Sequence, residues 1–347
     1  MTHARLPRLV IRLLLLALLP GLACRAVTDF LQEPATASPV IPAPLQAPAT
    51  QAEPLQEQAA SCPAVTEAIL SAATDFNEET GQESPEEPEE QYLVTYLVTG
   101  DDLASPYLEE VPKELTPYQE DETEHRAVWN LFTRLIPPAG RADLAEFAIL
   151  TDGPDNLLAA VTQTASDPAR WALEVDILDA ADRRNLTYTL IHEYAHLLTL
   201  GPSQVIPSRL IFDNPEDEDI YFQEASACPQ YFPGEGCSHP ESYLNAFFHR
   251  FWADIHAEWQ DVNLIEDDDA YYAALDEFYV AYADRFVTDY AATNPEEDIA
   301  EAFTFFVLSA PPAGDNIAEE KILFFYEYPE LVQMRAHILT TICASPP

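Results

Sequence analysis

The chain has 347 residues, 60 of them acidic and 16 basic, for a formal net charge of −44. A surface so negative repels nucleic acid and anionic lipid heads, which excludes both as partners of the folded part. The excess fits a solvated acidic surface and leaves open a salty or acidic habitat or a basic substrate.

At the N-terminus Arg5, Arg8 and Arg12 precede an apolar run over 13–23. The run is short for a membrane span and has the build of a secretory signal, so 1–23 is read as a signal peptide. It ends in Gly21-Leu22-Ala23-Cys24, similar to a bacterial lipobox, although Gly21 stands where such boxes usually place Leu. Cys24 is therefore the expected lipidation site and the only route to a membrane. The protein is expected to be an exported cell-surface lipoprotein, with plain secretion as the alternative. Residues 24–90 read as a tether. They are rich in Pro, Ala, Gln and Thr to about residue 61, with an acidic, Pro-broken patch at 78–90. Residues 91–347 are long enough to bury a core of their own.

If Cys24 takes lipid, Cys62, Cys228, Cys237 and Cys343 remain, an even number suited to two disulfides in an exported chain. Cys228 and Cys237 flank a Pro/Gly loop that a bridge would close. Cys62 and Cys343 would then join the two ends of the folded part. No C-x-x-C pair argues for zinc on these thiols.

From residue 91 the pattern predicts a strand over 91–100, a helix over 123–137 stopped by Pro137-Pro138, and a strand over 144–153. A hairpin follows over 156–180, and its last strand could offer an edge to an extended peptide. A helix is predicted over 185–200. After it helices dominate, and the acidic run at 213–224 in the segment 201–285 lacks the central Gly of a calcium loop. The helices are expected over 241–259, 268–286, 295–308 and 318–339. Strands first and helices later make an α+β fold, with a sheet-bearing N-terminal half and a mainly helical C-terminal half.

The helix at 185–200 carries His192-Glu193-Tyr194-Ala195-His196, an H-E-x-x-H string. Thr187, Leu190, Ile191, Tyr194, Ala195 and Leu198 form its core stripe, and Gly201-Pro202 stops it. Four residues apart, His192 and His196 share one face and can reach one tetrahedral cation. Glu193 is placed to approach a metal-activated water without being a ligand. One Zn2+ per chain is the expected cofactor. A third ligand is needed, and Thr199 and Pro202 occupy the places where a metzincin has its Gly and third His. The helix at 295–308 is the best source. Asn294 suits an N-cap, Pro295 the first helical position, and Glu297 and Glu301 lie four apart on one face. Either carboxylate could be the ligand, and Glu297 could instead serve as a capping-box residue for Asn294.

Tyr290, Glu297, Ala300-Glu301 and the apolar helix beyond them resemble the third-ligand region of the anthrax toxin lethal factor catalytic domain and of the secreted bacterial Pro-Pro endopeptidases. Both are gluzincin-type zinc metallopeptidases. The resemblance covers about 25 residues in two blocks and implies a zincin-like fold. It implies that Glu297 is the third zinc ligand, that Glu301 supports a ligand histidine, and that Tyr290 stabilises the oxyanion. The spacing between His196 and Glu297, about 100 residues, is longer than in the compact family members. The implied activity is endopeptidase cleavage of a peptide or protein substrate with Glu193 as general base. The alternative is a surface lipoprotein of the same fold that binds without cleaving.

Overall fold

In the computed structural model, which describes residues 61–80, 90–153, 157–265 and 267–347, a five-stranded sheet occupies the N-terminal half and helices fill most of the rest, an α+β arrangement. The expected signal peptide at 1–23, Cys24, the tether as far as residue 60 and the acidic patch at 81–89 lie outside the described residues.

Helix α1 (Pro63–Thr80) falls in the stretch that composition assigns to the tether. Its Ile69 and Ala73 are buried against the core, and Cys62 just before it is bridged to Cys343. The sheet is built from β1 (Gln91–Thr99), β2 (Asp102–Leu108), β3 (Leu144–Thr151), β4 (Ala159–Thr164) and β5 (Asp167–Asp176) in the order β2-β1-β3-β5-β4. Strand β2 is not foreseen by the pattern because Pro106 interrupts it, and an edge strand tolerates Pro on its unpaired side. Between β2 and β3 come α2 (Thr116–Gln119) and α3 (Glu122–Leu135). Asp121 caps α3, and its stripe of Val128, Trp129, Phe132 and Leu135 is buried. The Trp129 ring sits 5.3 Å from Phe147 of β3, so α3 covers one face of the sheet.

The β4–β5 hairpin forms as expected, but β5 is not an edge. It pairs parallel with β3 and antiparallel with β4, so the edge belongs to β4. The near-continuous buried run from Trp171 to Asp176 is the mark of an interior strand.

Helix α4 (Arg183–Leu200) starts at Asp182, whose side chain accepts from the backbone N–H groups of Arg184 and Asn185. It packs against α1 and β4 and is buried on nearly all sides. Gly201 ends it where a Cβ would lie 2.7 Å from the Leu197 carbonyl oxygen, an approach that only glycine permits.

The segment 201–285 holds β6 (Val205–Pro207), α5 (Arg209–Asp213), α6 (Glu218–Ala227), β7 (Gly236–Ser238), α7 (Tyr243–Phe251), α8 (His256–Asn263) and α9 (Asp268–Ala281). The helix predicted over 241–259 is two helices, because Trp252 leaves helical geometry and sinks its ring fully into the core. Helices α10 (Pro295–Leu308), α11 (Ile317–Phe324) and α12 (Pro329–Ala344) complete the chain. The helix predicted over 318–339 breaks at Tyr328, since Pro329 has no N–H to continue it and opens α12 instead.

Both expected disulfides are present, Cys62–Cys343 and Cys228–Cys237. Two such bridges suggest an exported protein. Among the described residues no helix is long and apolar enough to cross a membrane.

Candidate metal centre

His192, Glu193 and His196 form a buried group able to hold a metal ion, with candidate donor atoms within 4.8 Å of one another. Helix α10 packs against α4 and brings Glu297 to the same point. Asn294 caps α10 by accepting from the Glu297 N–H at 2.7 Å, and Pro295 takes the first helical position. The Glu297 carboxylate does not turn back to its own cap. Its Oε2 lies 3.0 Å from His192 Nε2 and 3.3 Å from His196 Nε2, and the two imidazole nitrogens are 3.1 Å apart.

These three separations test whether a cation fits. A tetrahedral ion bound at about 2.0–2.1 Å has ligands about 3.3–3.4 Å apart. The three atoms thus form one face of a slightly contracted tetrahedron. Their chemistry agrees. His192 Nδ1 sits 2.9 Å from Oε1 of Glu301, and a carboxylate there requires the imidazole to donate. In the neutral ring the Nε2 lone pair then faces the Glu297 oxygen, and lone pair opposing lone pair needs a positive charge between them. The titration behaviour shows the same demand. Burial pulls His192 down, yet Glu297 and Glu301 on either side of the ring hold it well above the usual imidazole range. Burial works against the Glu297 carboxylate, yet His196 and His192 keep it well below the usual carboxylate range.

Glu301 is held as firmly as it holds. Tyr188 Oη donates to its carboxylate at 2.8 Å, Thr288 Oγ1 donates to Oε2 at 2.7 Å, and the residue is 2 % exposed. Neither Tyr188 nor Thr288 is evident from the sequence reading. Tyr188 lies one helical turn before His192, and that spacing is the signal that could have found it.

Glu193 is buried beside the two histidines, where burial pushes its carboxyl up to about 7 against the pull of His196 and His192. The backbone of Val161 in the edge strand β4 hydrogen-bonds to it. Tyr290 lies in a short helical turn before α10, with its ring centroid 6.0 Å from that of His192. It is 47 % exposed, and the neighbouring charge of Glu297, with burial of part of the ring, pushes its phenol well above the usual value.

The first turn of α10 is anchored from behind. Asp298 accepts the Trp252 indole N–H at 2.6 Å and pairs with Lys321 Nζ at 2.5 Å, and all three residues are fully buried. On the other side, Glu296 accepts the Tyr231 phenol at 2.7 Å, and burial pushes its carboxyl up to about 8. Burial pushes Glu235, from the loop before β7, up to about 7 against the pull of its own backbone N–H and of His196, and its charge in turn raises Glu296. Glu235, Glu296 and Tyr231 are a further set that the sequence reading missed.

Of the residues expected at the site, His192, Glu193, His196, Tyr290, Glu297 and Glu301 come together, and Cys24 lies outside the described residues. No protein family, curated protein or solved structure matches this chain.

Proposed function

We propose that the protein is an exported zinc-dependent endopeptidase with a zincin-like fold, in keeping with its resemblance to gluzincin-type metallopeptidases. The observation that carries this reading is the convergence of His192 Nε2, His196 Nε2 and Glu297 Oε2, 3.0–3.3 Å apart, with the Glu193 carboxyl alongside as a fourth group. When bound, zinc would activate a water and polarise the scissile carbonyl.

Each protein group has a part that follows from its surroundings. Glu193 takes the proton of the attacking water and passes it to the leaving amine. A carboxyl poised near 7 can do both at neutral pH. Tyr290 stays protonated because its phenol is pushed upward, so it can donate to the developing oxyanion from the half-exposed side of the site. Glu301, with Tyr188 and Thr288 behind it, fixes the tautomer and orientation of His192. The outer edge of β4, which pairs with no further strand among the described residues and whose Val161 backbone meets Glu193, suits an extended peptide that adds one strand to the sheet.

Elemental analysis of protein purified without chelator tests the metal. About one zinc per chain is expected, and a marked loss in His192→Ala and His196→Ala. Full zinc in either variant would place the metal elsewhere. The non-cleaving alternative gains no support from the site, since Glu193 and Tyr290 both stand beside the histidines.

A further inference from the structure

Of the three candidate ligands only Glu297 comes from outside α4. The centre therefore exists only if the first turn of α10 stands in one place and at one rotation about its axis. A helix turns by about 100° per residue, so a slip of one residue at this end would carry the Glu297 carboxylate off the donor face.

The neighbours of Glu297 are held by three donors from the segment 201–285. The Trp259 indole N–H donates to the Thr293 carbonyl at 2.8 Å, just ahead of the cap at Asn294. The Tyr231 phenol donates to Glu296 at 2.7 Å, and the Trp252 indole N–H donates to Oδ2 of Asp298 at 2.6 Å. Lys321 of α11 meets that same Oδ2, with its Nζ 2.5 Å away and 4.2 Å from the centre of the Phe286 ring. Trp252, Asp298 and Lys321 are all closed to solvent.

An ion pair buried so deeply is a poor means of stabilising a fold. Desolvation of the two charges offsets much of their attraction, and apolar residues of similar volume often serve stability as well or better. Lys321 is one of two lysines in a chain with 60 acidic residues, yet its charge is placed in the interior, on the residue that follows Glu297. What the pair supplies is direction. An ammonium and an indole N–H converging on one oxygen leave Asp298 a single position, and the backbone passes that constraint to Glu297. Taking the metal-centre reading as given, we propose that Trp252, Asp298 and Lys321 are positioning residues for Glu297, which set how tightly the centre holds its metal and not how stably the chain folds. The segment 201–285, through Trp252 and Trp259, is then a support of the centre and not merely a connection between its ligands.

The test sets zinc affinity, measured by chelator competition, beside urea unfolding of the chelator-stripped full chain. The paired variant Asp298→Asn, Lys321→Met removes both charges together, leaves the net charge unchanged and keeps an oxygen for the Trp252 N–H. Its metal-free stability should match or exceed that of the wild type. Its Kd for zinc should rise by about ten- to a hundredfold, as losses behind a ligand do. Trp252→Phe keeps a ring without the donor and should also raise the Kd. Val128→Ala, in the buried stripe of α3, is the control, and it should lower stability and leave the Kd unchanged. Cobalt(II) in place of zinc adds a readout of geometry, because its visible absorption is intense in a tetrahedral site and weak in a higher-coordinate one. The wild type should show the intense bands and the paired variant weaker ones. Wild-type affinity and cobalt bands in the paired variant leave the metal centre standing and refute the positioning role. A paired variant that unfolds without metal, or that loses stability as Val128→Ala does while keeping its zinc, makes the pair structural and refutes it too. A wild type that binds neither zinc nor cobalt refutes the metal centre itself, and the positioning role with it.

Discussion

His192 Nδ1 and Glu301 Oε1 lie 2.9 Å apart in a region closed to solvent, and this contact decides what the other side of the ring can do. With Nδ1 donating, Nε2 of the neutral ring is left as a lone pair aimed at the point where His196 and Glu297 also meet. The two carboxylates four residues apart on α10 thereby take different work. Glu297 ends at the donor face, and Glu301 ends behind it with Tyr188 and Thr288. Glu297→Ala is expected to lose most of the metal, whereas Glu301→Ala should weaken binding by about ten- to a hundredfold, as losses behind a ligand do. Competition with a chelator of known affinity measures both. If Glu301→Ala strips the metal and Glu297→Ala retains it, the two carboxylates exchange roles.

Glu193 and Tyr290 should separate binding from chemistry. Glu193→Gln keeps a polar group of the same shape beside the histidines, so zinc content should hold while the rate falls at least about a hundredfold. Tyr290→Phe should keep zinc and KM and lower kcat, the pattern of an interaction made only in the transition state. Wild-type kcat in Glu193→Gln would assign the proton to another group, and an unchanged kcat in Tyr290→Phe would leave the oxyanion to other donors.

The bridge between Cys62 and Cys343 closes a loop spanning 281 positions and pins α1 to α12. In the chain-entropy account, constraint on the unfolded chain by so long a loop corresponds to about 5–6 kcal/mol. The paired Cys62→Ser, Cys343→Ser variant should lose stability on that scale in urea unfolding while keeping its zinc. A loss of unfolding free energy below about 0.5 kcal/mol would show that α1 is held by packing alone.

Away from the metal centre, His256 gives a clear sign. Its ring lies 5.3 Å from Trp259 in a stacked arrangement and 4.8 Å from Phe248 edge-on, and burial there pushes it down to about 4. The unfolded chain, with a histidine near 6.5, binds the proton more readily, so this group's contribution is fully present above 6.5 and is lost as pH falls towards 4. His256→Phe should remove that dependence. Between pH 7 and pH 5 the stability of the wild type should fall relative to the variant, and parallel curves would contradict the assignment.

How much of this was legible in the sequence depended on whether the cause was local. The helix that carries His192 and His196, its stop at Gly201, the cap and first position of α10 and the strand-to-helix order all rest on short-range patterns, and they appear at the expected places. The pairing of the four cysteines followed from parity and loop chemistry. Strand β2 was hidden by Pro106, which only its edge position excuses, and α1 by a neighbourhood rich in Ala and Pro. Trp252 interrupts a good helical pattern because a buried indole partner, Asp298, lies 46 residues away, and no periodicity records such a contact. The site divides along the same line. The spacing of His192 and His196 and of Glu297 and Glu301 is written in the helices that carry them. Thr288, Tyr231 and Glu235 arrive through the tertiary fold from loops that show no pattern of their own.

The most direct measurement is a digest of a mixed peptide library by the same preparation in three states, read by mass spectrometry: as purified, stripped with chelator, and restored with one equivalent of zinc. Cleavage at internal peptide bonds in the first state, its loss in the second and its return in the third, with Glu193→Gln inactive throughout, is the predicted result. Cleavage that survives complete removal of the metal, or none in the zinc-restored protein, would contradict a metal-dependent endopeptidase built on His192, His196 and Glu297.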